Sequence, residues 1–132
     1  MVCYYCKKNT VVVNSRIQIK SNSVWRRRRC LVCGNVMTTT EKYDLSSLIM
    51  VENKEKRLNP FKRDILFLSI YNCLSHSKQP LAISESLTDT VLSRIMAEQN
   101  SSKIDTKLLI SITYTVLSRF DRLAADQYIA NH

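Results

Sequence analysis

The chain has 132 residues and a formal net charge of +9, from 20 lysines and arginines against 11 acidic residues. This length suits one domain or two small ones, and no apolar stretch reaches the roughly 20 residues needed to span a bilayer. A membrane-spanning helix is therefore not expected, and the single glycine also excludes a Gly-rich phosphate-binding loop of the Walker type. Nothing at the N-terminus has the pattern of a secretory signal, so we expect a cytoplasmic protein.

The positive charge is concentrated in the first part of the chain. Residues 1–60 contain 12 lysines and arginines and 4 acidic residues, whereas residues 61–132 contain 8 and 7. A basic segment on a near-neutral remainder is typical of a nucleic-acid-binding protein. The alternative is a generally basic surface that favours solubility.

Two C-x-x-C pairs, Cys3/Cys6 and Cys30/Cys33, provide four thiols. Zinc in structural sites takes four such ligands at tetrahedral corners, and each C-x-x-C turn supplies two of them. The spacing therefore predicts one structural Zn²⁺ with a closed set of ligands. Disulfides or a redox dithiol are the alternative, but neither pair has the sequence context of a thioredoxin-like fold.

The residue that follows each pair is informative about the backbone. Gly34 follows Cys33, where a zinc knuckle often requires a positive φ that glycine adopts without steric cost. Lys7 is at the equivalent place after Cys6, so we expect a strained lysine or a different turn there. Cys73 lies far away in an apolar run and is predicted to be a small buried residue.

Strands are predicted at residues 10–19, 24–29 and 36–43, with a turn at 21–23. Asn14 and Ser15 are expected to bend the first strand. Three short strands around four cysteines describe a zinc ribbon, whose folding depends largely on the metal because it has almost no apolar core.

The second strand carries four consecutive arginines next to Cys30. Because side chains alternate along a strand, Arg26 and Arg28 should lie on one face, and Arg27 and Arg29 on the other, with Trp25. Arginine binds phosphate or guanine through its planar fork. Trp25 either stacks on a base or covers the thin core.

The remainder is predicted to be mostly helical. After a linker at 43–47, a hairpin is expected from strands at 48–52 and 57–59, followed by a break at Pro60-Phe61. Helices are then expected at about 62–75, 84–99, 105–120 and 121–129, with residues 100–102 as a loop and Asp105 as an N-cap. The first helix is apolar nearly all round, which indicates a buried helix or one with a partner on its second side. The predicted fold class is α+β.

The strings CYYC, VWRRRRCLVCG and VMTTTE together resemble the NrdR family, bacterial transcriptional repressors of ribonucleotide reductase genes. The resemblance implies a zinc-ribbon DNA-binding domain at residues 1–45 that contacts duplex operator DNA. Its expected metal ligands are Cys3, Cys6, Cys30 and Cys33. Its expected DNA-binding residues are Arg16, Lys20, Arg26, Arg27, Arg28 and Arg29.

Residues 48–132 resemble the family's second module, an ATP-cone that binds ATP or dATP and changes how protomers associate. Met50-Val51, the turn at 54–57 and Asn59-Pro60-Phe61 match its opening. The expected nucleotide-binding residues are Val51, Lys54, Lys56, Arg57 and Phe61. The chain differs from the family at Glu52, Ile65 and Gln79, where cations are expected, and each change removes a phosphate contact.

The resemblance therefore implies a zinc-dependent, nucleoid-associated DNA-binding repressor of ribonucleotide reductase genes, a homo-oligomer regulated by adenine nucleotide. The alternative is a zinc-ribbon nucleic-acid-binding protein without nucleotide sensing, in which residues 48–132 form an oligomerisation domain. No enzyme is expected, because four cysteines close the metal shell and no nucleophile and base pair is evident.

Overall fold

Internal packing divides the chain into two units, Met1–Tyr43 and Asp44–His132, in a computed structural model that describes residues 1–132. The first unit is a small sheet with the cysteine knuckles at its end. The second unit combines short strands with helices. The predicted α+β class, a zinc ribbon followed by a helical domain, is confirmed.

The sheet of the first unit consists of β1 (Thr10–Gln18), β2 (Ser23–Cys30) and β3 (Val36–Glu41) in the order β1-β2-β3. Both pairs are antiparallel. A 3₁₀ turn at Ile19–Ser21 and a left-handed Asn22, with φ 45°, reverse the chain between the first two strands. These positions agree with the three strands and the turn predicted from the sequence.

A β-bulge interrupts β1 near the residues expected to bend it. The pairing with β2 shifts register between Val12 and Asn14, so that Val13 is an extra residue on this strand. A bulge increases the local twist of the sheet. Beyond it, Asn14 faces Arg27 and Arg16 faces Trp25.

The first unit has almost no apolar core. Its only buried residues are Cys3, Cys30 and Ser23, whereas Ile17 and Ile19 are strongly exposed. Hydrophobic burial is thus unable to stabilise this unit by itself.

The second unit opens with α1 (Leu45–Leu48), and a three-stranded sheet follows. The strands β4 (Met50–Glu52) and β5 (Leu58–Pro60) form the predicted antiparallel hairpin. The third strand, β6 (Lys103–Asp105), pairs parallel to β4, so the order is β5-β4-β6.

Four longer helices complete the second unit: α2 (Arg63–Cys73), α3 (Pro80–Glu98), α4 (Thr106–Phe120) and α5 (Arg122–Ala130). They enclose one apolar cluster, in which the largest fully buried side chains are Ile70, Leu74, Ile95, Ile104 and Leu117. None of the helices is both long enough and apolar enough to cross a bilayer.

The structure corrects three details of the prediction and bears on a fourth. The expected linker at 43–47 is mostly α1, which the Asp44 side chain caps by accepting a hydrogen bond from the Ser46 amide. Strand β6 was not predicted. Helix α3 begins at Pro80 instead of Ser84, because proline is well suited to the first turn of a helix. Helix α2 is buried on one side and exposes Ile65 and Leu68, so the alternative of a fully buried helix is wrong and a partner on its second side stays a prediction.

Candidate metal centre and nucleic-acid interface

The four predicted metal ligands converge at one end of the first unit. Their sulfur atoms all lie within 4.8 Å of one another. The Sγ atoms of Cys3 and Cys33 are 3.6 Å apart, and those of Cys6 and Cys30 are 3.4 Å apart. Tetrahedral zinc with Zn–S bonds of about 2.3 Å requires sulfurs about 3.8 Å apart, whereas a disulfide requires about 2 Å. The geometry suits a shared metal ion, and all the cysteines are free.

The two knuckles have the same backbone geometry. The Lys7 amide donates to the Cys3 carbonyl at 3.0 Å, and the Gly34 amide donates to the Cys30 carbonyl at 3.0 Å. Lys7 and Gly34 both have positive φ, 60° and 72°. The first knuckle therefore does adopt the left-handed conformation with a lysine, at a steric cost that glycine avoids.

Hydrogen bonds at the second knuckle favour thiolates. Hydrogen bonds from Asn35 lower the pKa of Cys33 to about 6; the backbone amide has the larger effect and the side-chain amide the smaller. The Asn35 Nδ2 atom lies 3.3 Å from the Cys33 sulfur. The Cys33 amide likewise lowers the pKa of Cys30. At Cys6 the Lys8 amide lowers the pKa, but hydrogen bonding with the other three cysteine thiols, Cys30 above all, and burial together raise it to about 12. A bound cation is what allows all four sulfurs to be thiolates together.

This donor set fits zinc. Four soft thiolates, two of them on buried cysteines, match the closed ligand shell of a structural site. Cys73 takes no part, since it is buried in the core of the second unit and its thiol donates to the Ser69 carbonyl. The prediction that Cys73 is a buried apolar residue agrees with this placement.

Two of the four arginines on β2 have partners within the sheet. Arg26 forms an ion pair with Glu41 at 3.1 Å, and Arg28 Nε donates to the Thr39 hydroxyl at 3.3 Å. Both partners lie on β3, and both arginines are partly buried. The expected alternation of side chains is therefore present, and it places Arg26 and Arg28 together.

The other two arginines are on the opposite face. Arg27 and Arg29 are exposed and form neither an ion pair nor a side-chain hydrogen bond. Arg16 on β1 lies over the Trp25 ring, with 6.0 Å between the guanidinium carbon and the ring centroid. These two residues are directly opposite each other on neighbouring strands, so the register of the sheet brings the Arg16 guanidinium to the Trp25 ring.

Lys20, the remaining predicted DNA-binding residue, lies in the exposed 3₁₀ turn between β1 and β2. The first unit as a whole has nine lysines and arginines and a single acidic residue, Glu41, for a formal charge of +8. Zinc with four thiolates would lower this charge by two and leave the unit strongly basic.

The turn of the β4–β5 hairpin contains three of the predicted nucleotide-binding residues. Lys56 approaches the Glu52 carboxylate at 3.8 Å, and Arg57 pairs with Glu55 at 3.3 Å. Lys54 is exposed and forms no ion pair. The cations are thus brought together, but acidic neighbours accompany two of them.

The other two predicted nucleotide-binding residues are placed differently. Val51 is half-buried in the central strand β4. Phe61 is only 3% exposed and belongs to the helical core, with its amide bonded to the Ile49 carbonyl at 2.9 Å. Its aromatic ring therefore packs in the core of the second unit. The sequence does not reveal this, because Pro60-Phe61 has the pattern of a break between a strand and a helix.

Sequence reasoning did not identify three residues that shape this region. Glu41 and Thr39 fix the positions of Arg26 and Arg28, and Asn35 hydrogen-bonds to Cys33. The strand pairing that joins Glu41 to Arg26 cannot be derived from composition alone. Asn35 follows Cys33 by two residues, as Lys8 follows Cys6, and this repeated spacing was the available signal.

The first unit matches a known protein family. Residues 1–41 match the family model described as "Transcriptional repressor NrdR-like, N-terminal domain". A protein from Symbiobacterium thermophilum named transcriptional repressor NrdR is 34% identical over 91 residues, which cover 69% of this chain and 60% of that relative. The chain thus spans less than two thirds of the length of that protein.

Other relatives align over nearly the whole chain. The transcriptional repressor NrdR of Pelagibacter ubique is 34% identical over 125 residues, which cover 94% of this chain and 80% of the relative. The protein of the same name from Syntrophotalea carbinolica is 28% identical over 125 residues, 94% of this chain and 78% of the relative. These names are those of repressors, which confirms the prediction that the chain is not an enzyme. Since the alignment includes both units, the chain belongs to the NrdR family.

Proposed function

We propose that this protein is a zinc-dependent transcriptional repressor of ribonucleotide reductase genes that binds duplex operator DNA through the sheet of its first unit. The observation that carries the proposal is the four-cysteine cluster at the end of β2, the strand that bears the arginines. The names of its relatives support the same role. Such a protein acts in the cytoplasm, at the nucleoid.

The physical basis of DNA binding is the charge of this sheet. Cationic side chains that contact phosphates release counterions, which gives affinity that falls steeply as salt increases. Because the metal holds β2 and its knuckle in place, the arginines present a fixed pattern of charge. Phosphate contacts position the protein, and contacts to base edges supply sequence specificity.

We further propose that ATP or dATP binds at the hairpin of the second unit and changes the oligomeric state. Lys54 is unpaired, and the pairs formed by Lys56 and Arg57 are exposed and therefore weak. These cations can exchange their carboxylate partners for phosphates at little cost. A change in protomer association would alter the spacing of the ribbons and hence the fit to two operator half-sites.

The second candidate is a constitutive DNA-binding protein without nucleotide sensing. It is favoured by Glu52 and Glu55, whose carboxylates lie beside the hairpin cations and oppose the binding of a triphosphate. Both candidates share the zinc ribbon, so nucleotide binding distinguishes them.

One experiment addresses both questions. Binding of a fluorescent 30-base-pair duplex (about three helical turns) from the promoter of a ribonucleotide reductase gene would be measured with the zinc-loaded protein. ATP, dATP or no nucleotide would be added, and light scattering would give the mass of each state. We expect tight, salt-dependent binding that nucleotide changes together with the mass.

Variants make this experiment specific. Cys30→Ala should abolish DNA binding by destroying the metal centre. Lys54→Ala should not change DNA binding in the absence of nucleotide, but it should weaken the response to nucleotide. Arg122→Ala removes one exposed cation from the start of α5 and serves as the control. If neither ATP nor dATP changes the DNA affinity or the mass, the second candidate is established. Equal binding by Cys30→Ala would refute the role of the metal.

A further inference from the structure

The two faces of the first unit's sheet differ in charge. We call one the Glu41 face; it bears Arg26, Arg28, Thr39 and Glu41. In an antiparallel sheet, residues directly opposite each other project to the same side, and Glu41 lies opposite Val24, two residues from Arg26. The only carboxylate of residues 1–43 is therefore on this face, where it repels a phosphate backbone.

The cations of the Glu41 face are already engaged. Arg26 is paired with Glu41, and its side chain is 35% exposed. Arg28 is bonded to the Thr39 hydroxyl. For either guanidinium to contact DNA, it would have to leave a partner on β3, so the net gain from a phosphate contact is reduced.

The opposite side, which we call the Arg27 face, offers free cations among polar neighbours. It bears Arg27 and Arg29 on β2, and both are exposed and unpaired. Arg27 lies between Asn14 of β1 and Thr38 of β3 in the register of the sheet. An exposed arginine flanked by amide and hydroxyl groups is a typical arrangement for contacts to the DNA backbone.

The same face carries the pair of Arg16 and Trp25. They lie opposite each other, and Thr40 is the neighbour of Trp25 on β3. The cation–π contact with the indole, at 6.0 Å, restricts the Arg16 guanidinium, so less side-chain entropy is lost when it binds an anion. Three cations, Arg16, Arg27 and Arg29, thus share a face that has no carboxylate.

We propose that duplex DNA lies on the Arg27 face, where Arg16, Arg27 and Arg29 contact phosphates, and that Arg26 and Arg28 are positioning residues that join β2 to β3. This inference rests on the proposed function and divides the four consecutive arginines into two that contact DNA and two that join the strands. Because the four arginines are consecutive, only the strand's alternation and the partners on β3 distinguish them.

Two double variants of the zinc-loaded 132-residue chain test the division. Arg27→Ala/Arg29→Ala and Arg26→Ala/Arg28→Ala remove the same charge from the same strand, so they are matched in their long-range electrostatic effect. Affinity for a mixed-sequence duplex would be measured between about 50 and 200 mM salt. Zinc retention against a chelator and Trp25 fluorescence would report whether the ribbon is intact.

We expect the Arg27/Arg29 variant to lower affinity by about tenfold or more. The slope of log affinity against log salt should become shallower by about 1.8, as for two lost phosphate contacts, and zinc retention should be unchanged. The Arg26/Arg28 variant should release zinc more easily but keep a slope close to that of the unsubstituted protein. Such a difference between matched variants is not expected from charge alone.

An equal or larger change of slope in the Arg26/Arg28 variant would overturn the inference and leave the proposed function intact. If that variant does not hold zinc, Arg26→Gln/Glu41→Gln replaces it, because this change removes the ion pair without altering net charge. The slope should then stay unchanged, and a shallower slope would overturn the inference. A lack of salt-dependent DNA binding by the unsubstituted protein would refute the proposed function itself.

Discussion

At the scale of single residues, the two knuckles adopt the same left-handed backbone conformation with different side chains. Gly34 and Lys7 both have positive φ, a conformation that costs a residue with a Cβ about 1–2 kcal/mol. Lys7 gains some compensation from its own side chain. Its Nζ donates to the Tyr4 carbonyl at 2.9 Å and lies 5.0 Å from the centroid of the Tyr4 ring.

Gly34→Ala should therefore destabilise the zinc-bound ribbon by about 1–2 kcal/mol. A Cβ at this position meets no atom within 4 Å, so the cost comes from the backbone conformation and not from a clash. Chelator competition would detect it as zinc binding weakened by roughly tenfold. Lys7→Ala is the control, because it keeps the strained backbone and removes only the contacts with Tyr4. Undiminished zinc affinity in Gly34→Ala would contradict this explanation.

At the scale of elements, local signals could be read from the sequence and long-range partners could not. The cap at Asp105 and the apolar pattern after it predicted a helix to residue 120, and α4 runs from Thr106 to Phe120. Strand β6 was missed because three residues form a strand only through pairing with β4, some 50 positions earlier.

The same limit applies to the candidate site. The cysteine spacing predicted which four thiols would converge, because each C-x-x-C turn is local and four thiols are what zinc requires. The alternation of the arginines was also local and correct. The choice of Glu41 as the partner of Arg26 depends on the pairing of β2 with β3, so the unequal faces of the sheet became visible only in the structure.

Asp121 joins two helices and a loop, and it gives an element-scale prediction. Its Oδ1 caps α5 by accepting from the Leu123 and Ala124 amides, and its Oδ2 lies 2.6 Å from His76 Nε2. The hydrogen bond from His76 is the main cause that lowers the pKa of Asp121. A carboxyl whose pKa is lower in the folded than in the unfolded state stabilises the fold above its unfolded pKa of about 3.9.

Asp121→Ala should thus destabilise the second unit by about 1 kcal/mol at neutral pH, through the loss of the cap. Asp121→Asn keeps an acceptor for the cap and removes the charge, so it isolates the contribution of the His76 contact. Urea unfolding followed by helical circular dichroism would measure both. The difference in free energy of unfolding between the unsubstituted protein and Asp121→Asn should shrink as the pH falls below about 4 and through the pKa of Asp121 in the folded state. A difference that is constant across this range would contradict the assignment.

At the scale of the whole molecule, the two units depend on different sources of stability. Residues 44–132 enclose a continuous apolar cluster that includes Ile70, Ile95 and Leu117. In residues 1–43, the buried side chains are two of the four cysteines and Ser23. Structural zinc sites contribute about 10–16 kcal/mol of apparent binding free energy. This is enough to stabilise a unit that has no apolar core.

Removal of zinc should therefore unfold the first unit and leave the second folded. The chain offers a separate probe for each unit, because its single tryptophan, Trp25, is in the ribbon and the long helices are in the second unit. With a strong chelator, Trp25 fluorescence should shift to that of a solvated indole, while helical circular dichroism stays nearly constant. Cys30→Ala should reproduce this state without chelator, whereas Cys73→Ser should still respond to the chelator. If the helical signal disappears together with the tryptophan signal, the folding of the second unit depends on the ribbon. If neither signal changes, the cysteine cluster is not what stabilises residues 1–43.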